Sequence, residues 1–179
     1  MSNARRPIFL DRDGVLNVDV APYVRSVEEL RLFPWTADCL RRLHATHDLY
    51  IISNQQGVAL GLTPSSELAA INQKISEAIA PARIEQFYYD TLLSSDPASK
   101  RKPSPQMVFD ARDEYGLDLD GAFFVGDKDT DMECAVAAGL RPLLVFSGVT
   151  PRGAERHFRC PPEASFEDLR GATDYVLGS

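Results

Sequence analysis

Cysteine is scarce in this chain and long apolar runs are missing. The three cysteines among 179 residues, Cys39, Cys134 and Cys160, share no CxxC spacing. An odd, scattered set argues against a disulfide framework and a thiolate zinc site, and reads as free, mostly buried thiols. No stretch is apolar enough to span a bilayer, and the charge at Asp11 interrupts the opening segment before it resembles a secretory signal. Basic residues are also in deficit, 19 against 26 acidic, for a net charge of −7. That balance disfavours broad binding to nucleic acid or to an anionic membrane. Internal repeats, low-complexity segments and linker-like stretches are lacking too, so residues 1–179 read as one compact domain. A cytoplasmic monomer is the expectation.

What is present is an alternation of short apolar runs with longer helix-like stretches. Pro7–Leu10, Leu49–Ile52, Ile84–Leu93, Ala122–Val125 and Leu143–Phe146 read as strands, with Tyr175–Leu177 a last edge strand. Ser26–Phe33 and Trp35–Ala45 read as helices. Thr63-Pro64 opens a long one, by a capping residue before a first-turn proline. Ser104-Pro105 opens another that Gly116 closes, and a further helix ends near Gly139. This order predicts an α/β fold: a three-layer, Rossmann-like parallel sheet with helices on both faces and no large cap domain. Ligands of such sheets bind at the carboxyl ends of the strands.

Polar clusters sit at those ends. Asp11 and Asp13 follow the first strand two residues apart, so both can face one pocket. Such a pair suits a hard divalent cation such as Mg²⁺. One carboxylate can also attack phosphorus while the other handles protons. The segment superficially resembles an EF-hand loop, but its glycine stands at position 4 and Val15 at position 5, which fails that pattern. Asp127, in FFVGDKDTD, offers a third oxygen to a metal, and Asp131 lies one helical turn on, able to contact metal-bound water or to orient a neighbour. Asp129 reads as an ordinary helix-starting residue. Ser53 offers a hydroxyl to a phosphoryl oxygen, and Asn54 and Gln55 either brace the loop or reach the substrate. Lys102, fixed by the KPSP helix entry, supplies the cation that a phosphoryl site lined by aspartates needs.

Taken together, DRDG after a strand, Ser53-Asn54-Gln55 after the next, RKP before a helix and GDK followed by Asp131 resemble the haloacid dehalogenase superfamily of phosphatases. The likeness runs from Phe9 to about Gly139. It is close to the branch of heptose-bisphosphate and histidinol-phosphate phosphatases, and NVD…YV and RKPSP resemble the former more than the latter. The resemblance implies Asp11 as nucleophile and Asp13 as general acid, then base. It implies Mg²⁺ held by Asp11, the Asp13 backbone carbonyl and Asp127. It further implies Ser53 and Lys102 on the phosphoryl group, with Arg101 and Lys128 recognising substrate phosphates. The substrate expected is a small phosphorylated metabolite, a sugar bisphosphate such as D-glycero-D-manno-heptose 1,7-bisphosphate.

The chain departs from the family pattern twice. TLLSSDPASKRKP contains neither Cys nor His where relatives commonly carry a zinc loop, so no zinc is expected. GVALGL brings Leu60 to a place where an Arg is frequent. Both features bear on the leaving group. The alternatives are a histidinol-phosphate phosphatase, a nucleic-acid 3′-end phosphatase and, outside enzymes, a phosphoacceptor signalling module. The acidic balance weighs against the nucleic-acid reading, and Asp13 beside the nucleophile weighs against the signalling module. Arg152, Arg156 and Arg159, between Thr150 and Cys160, read as a solvated surface.

Overall fold

The computed structural model describes residues 5–179. Six parallel strands form one sheet in the order β3-β2-β1-β4-β5-β6. They are β1 (Arg6–Leu10), β2 (His47–Asn54), β3 (Ile84–Asp90), β4 (Phe123–Gly126), β5 (Arg141–Val145) and β6 (Ala164–Phe166). The helices are α1 (Thr36–His44), α2 (Ser65–Ile79), α3 (Gln106–Tyr115), α4 (Asp129–Ala137) and α5 (Leu169–Leu177).

Side-chain alternation along the strands builds two cores. Ile8, Leu10, Leu49, Ile51, Phe123, Val125, Leu143 and Val145 point to one face, where α1 and α5 cover them. Phe9, Tyr50, Ile52 and Phe124 point to the other, against Met107 and Val108 of α3 and Cys134 and Ala135 of α4. Full burial of such side chains contributes about 1.5–3 kcal/mol each, so this alternation sets the strand register. The expected three-layer fold is the one observed. Among the described residues no helix is long and apolar enough to cross a membrane.

Strand β1 pairs with β2 on one side and β4 on the other, Leu10 lying between Ile51 and Val125. The chain thus leaves β1 in one direction and returns on its opposite side, which opens a crevice at the carboxyl ends. Asp11 stands at its base, its backbone N–H donating to the Val125 carbonyl at 2.9 Å.

Four expected elements differ. Ser26–Phe33 is a series of turns, not a helix. Val18 donates to the Arg31 carbonyl, and Asn17 bridges to Leu32, which commits this backbone to closing a loop. Val24 and Leu30 of that loop bury against Ile71 and Ile75 of α2. Thr63 does not cap α2; its hydroxyl donates to the Val24 carbonyl and Pro64 occupies the cap position. Strand β3 stops at Asp90, whose carboxylate accepts the Leu92 N–H and the Ser99 hydroxyl and turns the chain. Finally, Tyr175–Leu177 belongs to α5, and the edge strand is the earlier Ala164–Phe166. Asp168 caps α5 by accepting the Arg170 N–H at 2.9 Å, and Leu169, Ala172, Thr173 and Val176 give it a buried face at helical spacing.

Candidate active site

A cleft of about 380 Å³ opens over the carboxyl ends of the strands, and Asp11, Asp13, Ser53, Asn54, Arg101, Lys102, Lys128 and Asp131 all line it. Residues spread over more than a hundred positions are brought together because most follow a strand end closely, while Arg101 and Lys102 enter on the loop that leads from β3 to α3.

Asp11 is 4% exposed. Its Oδ1 accepts the Arg12 backbone N–H at 2.7 Å and lies 2.9 Å from Lys102 Nζ. Burial alone would raise the Asp11 carboxyl; the charges of Lys102 and Lys128 more than reverse this and hold it below its ordinary value. An ionised carboxylate is thereby kept at the cleft floor.

Lys102 is nearly inaccessible and has three anchors: Asp11, Asp131 Oδ1 at 2.6 Å and the Ile52 carbonyl at 2.9 Å. Burial works against its charge, but Asp11 and Asp131 outweigh burial and raise its pKa above the ordinary lysine value. The side chain of Asn54 locks the Lys102 backbone from both sides, accepting from its N–H at 2.8 Å and donating to its carbonyl at 3.1 Å. Asp131 also accepts the backbone N–H groups of Asp127 and Lys128 through Oδ2, both at 3.0 Å. It orients Lys102 and the loop, and both of its oxygens are engaged.

Asp127 lies beneath the cleft, 0% exposed. Its Oδ2 accepts the Val149 N–H at 3.0 Å, while its Oδ1 is buried with no hydrogen-bond partner, 3.5 Å from Lys128 Nζ. Burial, then the neighbouring charge of Asp131, pushes this carboxyl up to about 8. Carboxylate oxygens of Asp11, Asp127 and Asp131 lie within 4.8 Å of one another. A buried carboxylate oxygen without a partner, set among hard oxygen donors, fits a divalent cation. Two close backbone approaches form the cradle: a Cβ on Gly14 would stand 2.5 Å from Asp127 Oδ2, and one on Gly148 would collide with the same oxygen.

Gln55 does not reach the cleft. It is 2% exposed, and its amide is spent on Asp13, Ser53 and Arg12. Of the two roles left open for it, reaching the substrate is not met, and bracing is the one its contacts fill, tying Ser53 to Asp13 and Arg12. Arg101 contacts the Gln56 side chain at 2.5 Å, and Lys128 Nζ reaches Asp19 at 3.0 Å.

Several residues at the site escaped the sequence reading. Arg12 is fully buried against Asp13, and Asn17 donates to Asp13 Oδ1 at 2.8 Å. Asp19, Pro22 and Tyr23 form one lip of the cleft. Ser147 donates to the Gly14 carbonyl at 2.7 Å, tying the loop after β5 to the turn after β1. For Arg12 the position directly after a buried strand is a weak signal, outweighed by flanking aspartates that make it read as solvated charge.

A family model described as HAD-hydrolase-like matches residues 99–172. The D-glycero-D-manno-heptose-1,7-bisphosphate 7-phosphatase of Chlorobaculum tepidum is 32% identical, over 96% of this chain and 94% of that protein. The D-glycero-beta-D-manno-heptose-1,7-bisphosphate 7-phosphatase of Pseudomonas aeruginosa is 31% identical, over 97% and 99%. Among solved structures, the D,D-heptose 1,7-bisphosphate phosphatase from B. bronchiseptica, complexed with magnesium and phosphate, superposes with a TM-score of 0.89. It is 32% identical, and the match covers 97% of this chain and 98% of that one.

Proposed function

Since the chain belongs to the haloacid dehalogenase-like hydrolases and is a phosphatase, we propose that it hydrolyses a sugar bisphosphate through an aspartyl-phosphate on Asp11. The observation that carries this reading is the buried, ionised Asp11 carboxylate, 2.9 Å from Lys102 Nζ at the base of the cleft.

An Asp11 oxygen attacks phosphorus in line, and the bond from phosphorus to the sugar oxygen breaks. Asp13 gives its proton to the departing oxygen. Water then attacks the phosphorus of the aspartyl-phosphate, its proton passes to Asp13, and inorganic phosphate leaves Asp11 free. Lys102 and the Ser53 hydroxyl hold the non-bridging oxygens, where charge develops in the transition state. Mg²⁺, which Asp11, the Asp13 carbonyl and Asp127 would hold, offsets the repulsion between carboxylate and phosphate.

The sugar reading is supported by the names of relatives at 31–32% identity. D-glycero-D-manno-heptose 1,7-bisphosphate is the favoured substrate, and Arg101 and Lys128 at the cleft wall suit its second phosphate. The test is a phosphate-release screen of heptose bisphosphate, heptose monophosphate, histidinol phosphate and a 3′-phosphorylated oligonucleotide. Preference for the bisphosphate is expected. Preference for histidinol phosphate or the oligonucleotide would overturn the substrate.

A further inference from the structure

Under the cleft wall runs a strip of buried polar side chains that the chemistry above does not use. Arg12 is 0% exposed, yet its guanidinium stays charged at any pH at which a protein folds. Burying that charge costs several kcal/mol unless its donors are met. Those of Nε and Nη2 are met mainly by Asp13, Nε and Nη2 lying 3.2 and 3.1 Å from Oδ1 and Nη2 2.9 Å from Oδ2, while Nη1 is buried without a hydrogen-bond partner. The same Nη2 donates to Gln55 Oε1 at 3.0 Å. Gln55 in turn donates from Nε2 to Asp13 Oδ2 at 2.7 Å and to Ser53 Oγ at 3.0 Å.

The orientation of the Gln55 amide follows from its partners. Arg12 can only donate, so the Gln55 oxygen must face Arg12, and the nitrogen is left to face Asp13 and Ser53. Flipping the amide would set its N–H groups against the Arg12 donor. Ser53 Oγ therefore receives an N–H, and its single proton remains to be donated into the cleft.

We propose that Arg12 and Gln55 are positioning residues that lock the Asp13 carboxylate and aim the Ser53 hydroxyl, so that the proton-transfer group and the phosphoryl-holding group are set as one unit. This inference rests on the roles given above to Asp11 and Asp13. It differs from a purely structural role, in which loss of the strip would slow every step alike.

The two chemical steps separate these cases. With p-nitrophenyl phosphate the leaving group departs without a proton from Asp13, whereas water attack on the aspartyl-phosphate still needs Asp13 as base. Gln55→Met nearly conserves volume and removes the donor; Arg12→Lys keeps the charge and removes the fork. Rapid mixing of either variant with p-nitrophenyl phosphate is expected to give a burst of about one p-nitrophenol per active site. A steady state roughly 10²-fold slower than that of the unaltered enzyme should follow, the usual scale for losing acid–base assistance. Heptose bisphosphate, whose alkoxide needs the proton, should show no burst. Unchanged turnover, or a burst that falls in step with the steady state, would overturn the inference. If Gln55→Met does not fold, Arg12→Lys carries the same test. Asp11→Asn in the same assay should give neither burst nor turnover. Turnover persisting there would instead overturn the nucleophile assignment.

Discussion

Asp127 shows how much local free energy this site stores. One of its oxygens is buried without a hydrogen-bond partner, and its carboxyl is pushed up to about 8 by burial and by Asp131. A carboxyl raised in the folded state binds more protons there than in the unfolded chain, between its ordinary range near 4 and about 8. Stability of the metal-free protein should therefore fall as pH rises through that window. Asp127→Asn is expected to flatten this fall while also removing any stabilisation by Mg²⁺; thermal melts from pH 5 to pH 9, with and without Mg²⁺, check both effects. Lys102 is the opposite case, a buried cation tied to two carboxylates. Lys102→Met leaves Asp11 and Asp131 buried without it and should cost about 3–5 kcal/mol in urea unfolding, besides abolishing turnover. Asp11, Ser53 and Asp127 were legible as residues at or beneath the cleft because each polar residue breaks an apolar run at a strand end, Asp13 by its spacing from Asp11, and Lys102 by the KPSP helix entry. Arg12 was not legible, since an arginine between two aspartates reads as solvated charge; its burial depends on Gln55, 43 positions away.

Among the elements, the loop after β5 has a larger part than its sequence suggests. Gly148 lies against Asp127, and Val149 supplies the N–H that fixes one of that carboxylate's oxygens. Gly148→Ala should displace the Asp127 carboxylate and weaken Mg²⁺ binding, read by titrating activity against metal concentration, while the rest of the sheet is untouched. Helix α5 offers a contrast, because it packs on the sheet face rather than at the cleft. Asp168→Ala removes its N-cap and should cost about 1 kcal/mol without changing turnover, measured by urea unfolding beside an activity assay. The strands and helices that alternate between β1 and β5 were readable from their periodicity. The misreadings fell where tertiary partners override local pattern. Val27 and Leu30 carry a helical spacing, but Val27 donates its N–H to Glu67 of α2 and the chain folds back on Val18. Tyr175–Leu177 looks like a strand only if the Asp168 cap ahead of it is overlooked.

For the molecule as a whole, the placement of β1 between β2 and β4 matters most. That order puts the acidic turn after β1 between the Ser53 loop and the Asp127 loop, with Lys102 entering from before α3. The layered parallel sheet and the convergence of these clusters at one end followed from the sequence order. The lip made by Asp19, Pro22 and Tyr23 did not, because it depends on a loop that packs on α2. A chain of net charge −7 that gathers three buried carboxylates at one point should be stabilised when a divalent cation joins them. The most direct measurement of the central proposal is rapid acid quenching of a single turnover with ³²P-labelled bisphosphate, followed by mapping of the labelled peptide. The label is expected on Asp11 and should be absent from the Asp11→Asn protein. Label on any other residue, or full single-turnover hydrolysis by Asp11→Asn, would contradict it.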